Sequence, residues 1–222
     1  MVGGLIVRTP RPEFRRRPGD VAFVFAGFTV AAVSAGFAAG SLQAWERGLF
    51  RALNDLSHRF ELATWPLQQL GMALAIPVGA VVLARISKSW RTPAAFLVTA
   101  TTIGWGVANW VREAVERGRP SSFLDDVQLG YDVPDAGPAF PSGHAIVVWA
   151  LIVVLAPYVR NPIVAVMILL ALGMMTCRVY VGAHMPLDVI GGAGYGVAVG
   201  GLSNLIGGIT SASSVELRVT DG

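Results

Sequence analysis

The chain has 222 residues, of which 54% are hydrophobic and only 14% are Asp, Glu, Lys or Arg. Soluble domains carry about 25% charged residues, so this composition excludes an ordinary soluble domain and favours an integral membrane protein. The net charge of +3 is too small and too dispersed for a surface that binds nucleic acid. Cys177 is the only cysteine, which excludes an intramolecular disulfide.

Apolar segments that cross, or nearly cross, a bilayer follow a basic, proline-containing tail at 1–20. A span needs about 20 residues, so the fourth and fifth segments are short unless flanking residues extend them. One re-entrant hairpin is the alternative for this pair, but Arg160, Asn161 and Pro162 favour an ordinary turn between two helices. The predicted spans are 21–40, 62–84, 92–111, 145–159, 161–177 and 189–209.

These segments predict an all-α fold, an integral membrane bundle of six transmembrane helices in one domain at 21–209. A basic cytoplasmic tail, 1–20, precedes this domain, and a polar C-terminal tail, 210–222, follows it. Six spans put both termini on one side of the membrane, where the loops hold ten of the 17 Lys and Arg residues. The positive-inside rule therefore predicts cytoplasmic termini, with the loops at 112–144 and 178–188 facing outward.

The segment 41–61, between the first two spans, has the pattern of an amphipathic helix. Its apolar residues recur at steps of three and four, while Arg47, Arg51 and Asp55 fall on another face. We expect this helix to lie in the membrane interface. The apolar residues are Leu42, Trp45, Leu49, Leu53, Leu56 and Phe60.

In the last span Gly192, Gly196 and Gly200 repeat at every fourth residue and form a small-residue groove for close helix packing. Packing against another helix of the same bundle is the favoured interpretation, because a multispan protein has its own helices to bury. A homodimer that forms through this face is the alternative.

Charged residues at the membrane boundary are functional candidates by default, and here they cluster at predicted helix ends on the outward face. Arg112 and Arg119 are seven residues apart, two turns along one face of a helix, and Arg178 ends the fifth span. Three guanidiniums in one cavity need an anion with several oxygens, and phosphate fits their forked geometry.

Ion pairs within the helix are the alternative for these arginines. Arg112 would pair with Glu116, and Arg117 with Glu113. We expect the ion pair for Arg117. For Arg112, Arg119 and Arg178 we expect phosphate binding.

The run Pro141-Ser142-Gly143-His144 is typical of a helix start. Ser142 can cap the helix, and Gly143 lets the backbone approach a ligand closely. Backbone N–H groups at a helix start bind anions, and His144 beside such an anion can protonate a leaving oxygen as a general acid.

His184 and Asp188 lie four residues apart, with Pro186 between them at a predicted first helical turn. Asp188 can accept a hydrogen bond from one ring nitrogen, which leaves the other nitrogen as a nucleophile. Two histidines and an aspartate could instead hold a metal ion, but three arginines in the same cavity oppose a cation. We therefore predict a site that uses no metal and no other cofactor.

The ordered set of motifs is far more specific than any one of them. In chain order the motifs are Arg112-x6-Arg119-Pro120, Pro141-Ser142-Gly143-His144 and Cys177-Arg178-x5-His184-x3-Asp188. This set resembles the type 2 phosphatidic acid phosphatase (PAP2) superfamily, whose pattern is Lys-x6-Arg-Pro, Pro-Ser-Gly-His and Ser-Arg-x5-His-x3-Asp. Arg112 stands where the family usually has Lys, and Cys177, which we interpret as a buried inert thiol, stands where Ser is usual.

The resemblance implies a role for each motif residue. His184 attacks phosphorus to form a phosphohistidine, His144 protonates the departing oxygen, Asp188 orients His184, and water then releases phosphate. The phosphate oxygens are held by Arg112, Arg119, Ser142, Gly143 and Arg178.

The resemblance also implies a multi-pass protein of the cell membrane that acts on a lipid phosphate. Phosphatidic acid, phosphatidylglycerophosphate and a polyprenyl phosphate or diphosphate are the candidate substrates. A non-catalytic lipid transporter or scaffold that has kept the phosphate cavity is one alternative, and a lipid phosphotransferase is another. The acidic, turn-rich stretch 121–140 forms either a lid near the site or a solvated loop.

Overall fold

The computed structural model describes residues 13–131 and 133–211. Within these two ranges the chain is mainly α-helical, which confirms the all-α part of the predicted fold class. The α-helices in chain order are α1 (Pro18–Ala38), α2 (Ala44–Asn54), α3 (Glu61–Gln68), α4 (Ala75–Ser87), α5 (Arg91–Thr101), α6 (Ala108–Val115), α7 (Gly143–Leu155), α8 (Asn161–Tyr180) and α9 (Pro186–Gly207). Two short strands, β1 (Glu13–Arg15) and β2 (Ile209–Ser211), pair antiparallel.

Four helical segments among the described residues are long and apolar enough to cross a membrane: α1, the run Arg91–Val115, α8 and α9. The run Arg91–Val115 joins α5 to α6 through a π-helical turn, Thr102–Val107. The segment Glu61–Ser87, described below, consists of two helical halves joined by a bend. The number of candidate spans becomes five if these halves count as one span. The predicted fourth span is a shorter apolar helix, Gly143–Tyr158, made by α7 and a 3₁₀ turn.

The second predicted span, 62–84, is not one continuous helix. Its first half is α3 with the 3₁₀ turn Gln69–Gly71, and its second half, α4, is bent by 60° from the first. Pro77 lies in the first turn of α4, where a residue without an N–H group breaks no backbone hydrogen bond. Within an unbroken helix the same proline would interrupt the backbone ladder, so a new helix begins just before it.

The fifth predicted span reaches full length because residues beyond its apolar run extend it. α8 has 20 residues and ends at Tyr180, and Pro162 lies in its first turn. A helix of this length can cross the bilayer alone. The structure therefore favours two separate helices over one re-entrant hairpin for the fourth and fifth segments.

α9 lies at the centre of the bundle, where α1, α5 and α7 pack around it. Its glycine face touches α7 directly: a side-chain atom at Gly192 would lie 2.6 Å from the carbonyl oxygen of Ser142, and one at Gly200 would lie 2.8 Å from that of Ala150. At Gly196 the backbone carbonyl oxygen of Ile146 is closer still. Packing within the bundle is confirmed, and α7 of the same chain covers the face that the homodimer alternative requires.

Both ends of the described chain lie at one end of the bundle. Asp20, in the first turn of α1, is buried, pairs with Arg17 at 3.0 Å and accepts a hydrogen bond of 3.0 Å from Asn204 near the end of α9. The strands β1 and β2 continue from these helix ends. His144 and Asp188 lie in the first turns of α7 and α9, so the candidate site is at the opposite end.

α2 is shorter than the amphipathic segment 41–61 that the sequence predicts. Trp45 and Leu49 are about half exposed on one side of this helix. Its buried residues Glu46, Phe50 and Asn54 follow one another at one-turn steps and face the rest of the chain. The buried side of α2 therefore carries an acid and an amide as well as an aromatic ring.

Candidate active site

A cavity of about 670 Å³ opens where the ends of several helices meet the break in the second span. Six of the eight predicted site residues line it. They are Arg112, Arg119, Gly143, His144, Arg178 and His184. The other two, Ser142 and Asp188, are fully buried beside it. The structure thus brings together residues that are up to 76 positions apart in the chain, from Arg112 to Asp188.

Arg112 and Arg119 reach the cavity from different elements. The prediction that both lie on one face of the same helix is therefore wrong. α6 ends at Val115, and Glu116 turns the chain with a φ of 50°. Arg119 follows in extended conformation, and its Nη1 donates a hydrogen bond of 2.7 Å to the carbonyl oxygen of Ala183. The same Nη1 lies 3.4 Å from Nε2 of His184, so this guanidinium lies beside the predicted nucleophile.

The Arg112 guanidinium lies at the start of α7. It donates a hydrogen bond to Oδ1 of Asn109 on its own helix. A side-chain atom at Gly143 would lie only 3.4 Å from Nη2 of Arg112. Because glycine has no side chain, the guanidinium can lie close to the backbone of α7. An anion bound between the two would meet both a fixed cation and a helix N-terminus.

Arg178 and His184 are brought together by a tight chain reversal after α8. The backbone N–H groups of Ala183 and His184 donate to the carbonyl oxygen of Arg178, at 3.1 and 3.2 Å. Gly182 has a φ of 74°, a conformation that favours glycine at the end of a helix. Nη1 of Arg178 donates a 2.8 Å hydrogen bond to Oε1 of the buried Gln68 on α3.

The helix start predicted at 141–144 is present, but Ser142 does not cap it through its side chain. α7 begins at Gly143 with Ser142 at the capping position, and the Ser142 hydroxyl is buried with no hydrogen-bond partner among the described residues. The backbone N–H of Ser142 instead donates to the carbonyl oxygen of Asp188 at 3.0 Å. His144 lies in the first turn and lines the cavity.

His184 lies between a carboxylate and a cation. Its Nδ1 is 3.6 Å from Oδ2 of Asp188, whereas its Nε2 faces Arg119 and the cavity. Asp188 is held in place because its Oδ2 also accepts a 2.8 Å hydrogen bond from the backbone of Met185. Burial, followed by the positive charges of the nearby arginines, lowers the pKa of His184 well below its usual value. A neutral imidazole at neutral pH has a lone pair available for attack.

The prediction that Arg117 pairs with Glu113 is wrong. Arg117 is buried, its Nη2 lies 2.7 Å from Oε2 of Glu46, and its Nη1 lies 3.3 Å from Oδ1 of Asp188. The turn at Glu116 carries Arg117 away from the surface of α6. Sequence reasoning missed Glu46, although an acid one helical turn before Phe50, on the same side of α2, was a signal that this side is not only apolar.

Part of the stretch 121–140 forms a wall of the cavity through Tyr131, Pro134, Pro138 and Ala139. This stretch is tied down by hydrogen bonds. Asn54 of α2 both donates to and accepts from the backbone of Gln128, at 2.7 and 2.9 Å, and Gly130 donates to Val181 at 3.0 Å. Among its described residues, this stretch therefore lines the cavity and is hydrogen-bonded to α2 and to Val181.

The PAP2 superfamily model matches residues 93–208, which is more than half of the chain and includes all three motifs. This chain belongs to the PAP2 superfamily. Among the described residues of this PAP2 protein, no group of three His, Cys, Asp or Glu side chains is arranged to hold a metal ion. Cys177 is a free, buried thiol in α8.

Curated relatives of this PAP2 protein are named as lipid phosphatases. The lipid A 1-phosphatase of Rhizobium etli is 36% identical over 109 residues, which cover 46% of this chain and 45% of the relative. Phosphatidylglycerophosphatase B of Escherichia coli is 26% identical over 136 residues, covering 43% of this chain and 53% of the relative. The chain thus spans about half the length of the curated relatives it matches.

Two solved structures have a similar fold. The crystal structure of Aquifex aeolicus LpxE superposes with a TM-score of 0.65 at 25% identity, over 72% of this chain and 95% of the other. The transmembrane PAP2 type phosphatidylglycerolphosphate phosphatase from Bacillus subtilis gives a TM-score of 0.63 at 19% identity, over 83% of this chain and 94% of the other. The second likeness concerns the fold alone. Together with the long apolar helices of this chain, the similar folds support a multi-pass membrane protein.

Proposed function

We propose that this PAP2 protein is a membrane-embedded phosphatase that hydrolyses a lipid phosphate. The observation that carries the proposal is the convergence of three guanidiniums and two imidazoles on one cavity at the ends of apolar helices. So much positive charge in one partly buried place is stabilised by an anion with several oxygens. The names of the curated relatives support a lipid phosphate as that anion.

The first chemical step is the attack of His184 on phosphorus. The lone pair of Nε2 forms the N–P bond, while the bond from phosphorus to the lipid oxygen breaks and that oxygen takes the proton of His144. The position of Asp188 on the Nδ1 side supports this role, because a carboxylate there keeps the proton on Nδ1 and stabilises the imidazolium that forms. The products of the step are a phosphohistidine and a free lipid alcohol, or a lipid monophosphate where the substrate is a diphosphate.

The second step is hydrolysis of the phosphohistidine. Water attacks phosphorus, His144 accepts the proton that water loses, and the N–P bond breaks to release inorganic phosphate and restore His184. Arg112, Arg119 and Arg178 stabilise the negative charge on the phosphate oxygens in both steps, together with the backbone at Ser142 and Gly143. In this proposal the arginines supply the charge stabilisation, and no metal ion is required.

We infer a membrane arrangement that matches this chemistry. The domain 21–209 crosses the membrane six times, counting the bent second segment and the short Gly143–Tyr158 helix as spans, with the tails 1–20 and 210–222 in the cytoplasm. The cavity then faces outward, at the end of the bundle opposite to Asp20 and Asn204. α2 lies in the interface, where exposed Trp45 and Leu49 suit lipid contact.

The experiment offers the purified protein a panel of lipid phosphates in detergent with a metal chelator present. The panel contains lipid A, phosphatidylglycerophosphate, phosphatidic acid and a polyprenyl diphosphate. The variant His184→Gln is compared with the parent on each lipid. Phosphate release from at least one lipid, lost by more than about a thousandfold in the variant and not restored by zinc or magnesium, supports the proposal. Equal release by variant and parent, or release from no lipid, overturns it.

A further inference from the structure

A chain of buried charged side chains runs from α2 to the histidine at the cavity. Glu46 and Arg117 are 2.7 Å apart, Arg117 and Asp188 are 3.3 Å apart, and Asp188 and His184 are 3.6 Å apart. The side chains of Glu46, Arg117 and Asp188 are at most 7% exposed. The mechanism described above uses Asp188 and His184 but assigns no role to the other two residues.

Glu46 also holds the backbone that carries Asp188. Its Oε1 accepts a 2.9 Å hydrogen bond from the N–H of Leu187, in the first turn of α9, where helix N–H groups have no partner within the helix. The carbonyl oxygen of Arg117 accepts a 2.8 Å hydrogen bond from Ala139, just before the start of α7. The Glu46–Arg117 pair therefore connects α2 to the starts of the two helices that carry His144 and Asp188.

The chemistry of the pair suits a bridge between two buried carboxylates. A buried charge is stable only when it is paired, and the planar guanidinium can direct one nitrogen to each carboxylate. Removing one partner of a buried pair leaves an uncompensated charge, which is strongly destabilising. Neither Glu46 nor Arg117 is among the described residues that line the cavity, so neither touches the substrate.

We propose that Glu46 and Arg117 are positioning residues for the reaction at this cavity, an inference that rests on the phosphatase function proposed above. Glu46 orients Arg117, and Arg117 holds the Asp188 carboxylate on the Nδ1 side of His184. Nε2 of His184 is thereby directed at the cavity. α2 thus supports the active site in addition to lying beside the membrane.

The charged and titratable groups that face His184 are Asp188 on one side and Arg112, Arg119, Arg178 and His144 around the cavity. Removing the positive charge of the bridging arginine makes the surroundings of the imidazole more negative and raises its pKa. Removing the negative charge of the α2 glutamate has the opposite effect on that pKa. Because attack needs a neutral imidazole, activity is lost as pH falls through the pKa of His184, so the two changes move the acid limb of the pH profile in opposite directions.

The experiment measures kcat and KM against pH for the parent, Glu46→Gln, Arg117→Gln and the double variant. We expect kcat to fall about 10- to 100-fold in each single variant while KM stays within about twofold, because neither side chain touches the substrate. The acid limb moves to higher pH in Arg117→Gln and to lower pH in Glu46→Gln. The double variant, which removes equal and opposite charges, moves it less than Arg117→Gln alone.

Two matched controls make the same kinds of substitution, Glu to Gln and Arg to Gln, at exposed positions. Glu113→Gln removes an exposed acid from α6, and Arg47→Gln removes an exposed base one residue from Glu46. Both should leave kcat and the acid limb unchanged. Should Arg117→Gln fail to fold, Arg117→Lys keeps the charge without the fork, and we expect it to lower kcat while the limb stays in place.

A second readout needs no turnover and separates this proposal from the proposed function. The chain has three histidines, so the imidazole of His184 can be followed by NMR in labelled protein during a pH titration. Shifts of its pKa in opposite directions in the two single variants support the positioning role, even for a parent that releases no phosphate. A parent that is active, with kcat, acid limb and His184 titration unchanged in both variants, overturns the positioning role alone.

Discussion

Nη1 of Arg178 donates a 2.8 Å hydrogen bond to Oε1 of Gln68, and this contact joins the last turn of α8 to the first half of the bent second segment. Both side chains are buried. The residues that follow Gln68, including Gly71 and Met72, line the same cavity. The break in the second segment therefore forms one wall of the site and anchors one of its three guanidiniums.

Replacing Gln68 should weaken phosphate binding more than it slows the chemical step. A hydrogen bond to a charged group contributes about 1.5–3 kcal/mol, so we expect KM to rise about tenfold or more in Gln68→Ala. Gln68→Glu should raise KM further, because its carboxylate competes with phosphate for Arg178. Steady-state kinetics test this, with Gln43→Ala, an amide that donates to Ser41, as the control. An unchanged KM in both variants would contradict the anchoring role.

Gly71→Ala should disturb His144 through a steric clash. An added side-chain atom would lie 2.6 Å from Cβ of His144 and 2.7 Å from its carbonyl oxygen, so the 3₁₀ turn and α7 must move apart. We expect kcat to fall about tenfold or more and Tm to decrease. Gly36→Ala on α1, where nothing lies within 4 Å, is the matched control and should change neither quantity. Equal kcat and Tm in Gly71→Ala and Gly36→Ala would contradict the steric clash with His144.

The motif residues could be predicted from sequence because helix starts and ends have local signals. Gly143 begins α7 and Pro186 begins α9, as Ser142 and the proline itself indicate. The route by which Arg112 and Arg119 meet could not be predicted in the same way. A spacing of seven fits one helix face, and only the turn at Glu116 separates the two arginines onto different elements.

Long-range charge pairs were beyond the reach of local patterns. Arg117 has an acid four residues away at Glu113, and nothing in the sequence says that Glu46, 71 residues away, is the partner instead. Arg117 pairs with Glu46 because both side chains are buried, and a buried charge without a partner is energetically costly. The break in the second segment was in principle readable, because Pro77 cannot lie within an unbroken helix without losing a hydrogen bond.

Arg112→Lys introduces the residue that the family pattern usually has at this position. The ammonium keeps the positive charge beside Gly143 but cannot also maintain the fork geometry next to Asn109. We expect kcat/KM to fall by less than about tenfold in Arg112→Lys and by more than about a hundredfold in Arg112→Met. Similar values for the two variants would mean that the charge of Arg112 does not act on the substrate.

Cys177→Ser makes the other substitution toward the family pattern. Cys177 is a free thiol, 8% exposed, in the last turns of α8, and the mechanism assigns it no step. A hydroxyl of similar size should fit, so we expect kcat/KM within about twofold of the parent. The variant and the parent should also respond alike to a thiol-blocking reagent. A loss of activity above about tenfold in Cys177→Ser would give the thiol a part in the reaction.

Trapping of the covalent intermediate is the decisive test of His184 as the nucleophile. The protein is mixed with a ³²P-labelled lipid phosphate that it hydrolyses, denatured within milliseconds, and examined for bound label. We expect an acid-labile, base-stable phosphate on the parent chain, mapped to His184 and missing from His184→Gln. Label that persists in His184→Gln, or rapid turnover by the parent with no label at any time, would contradict it.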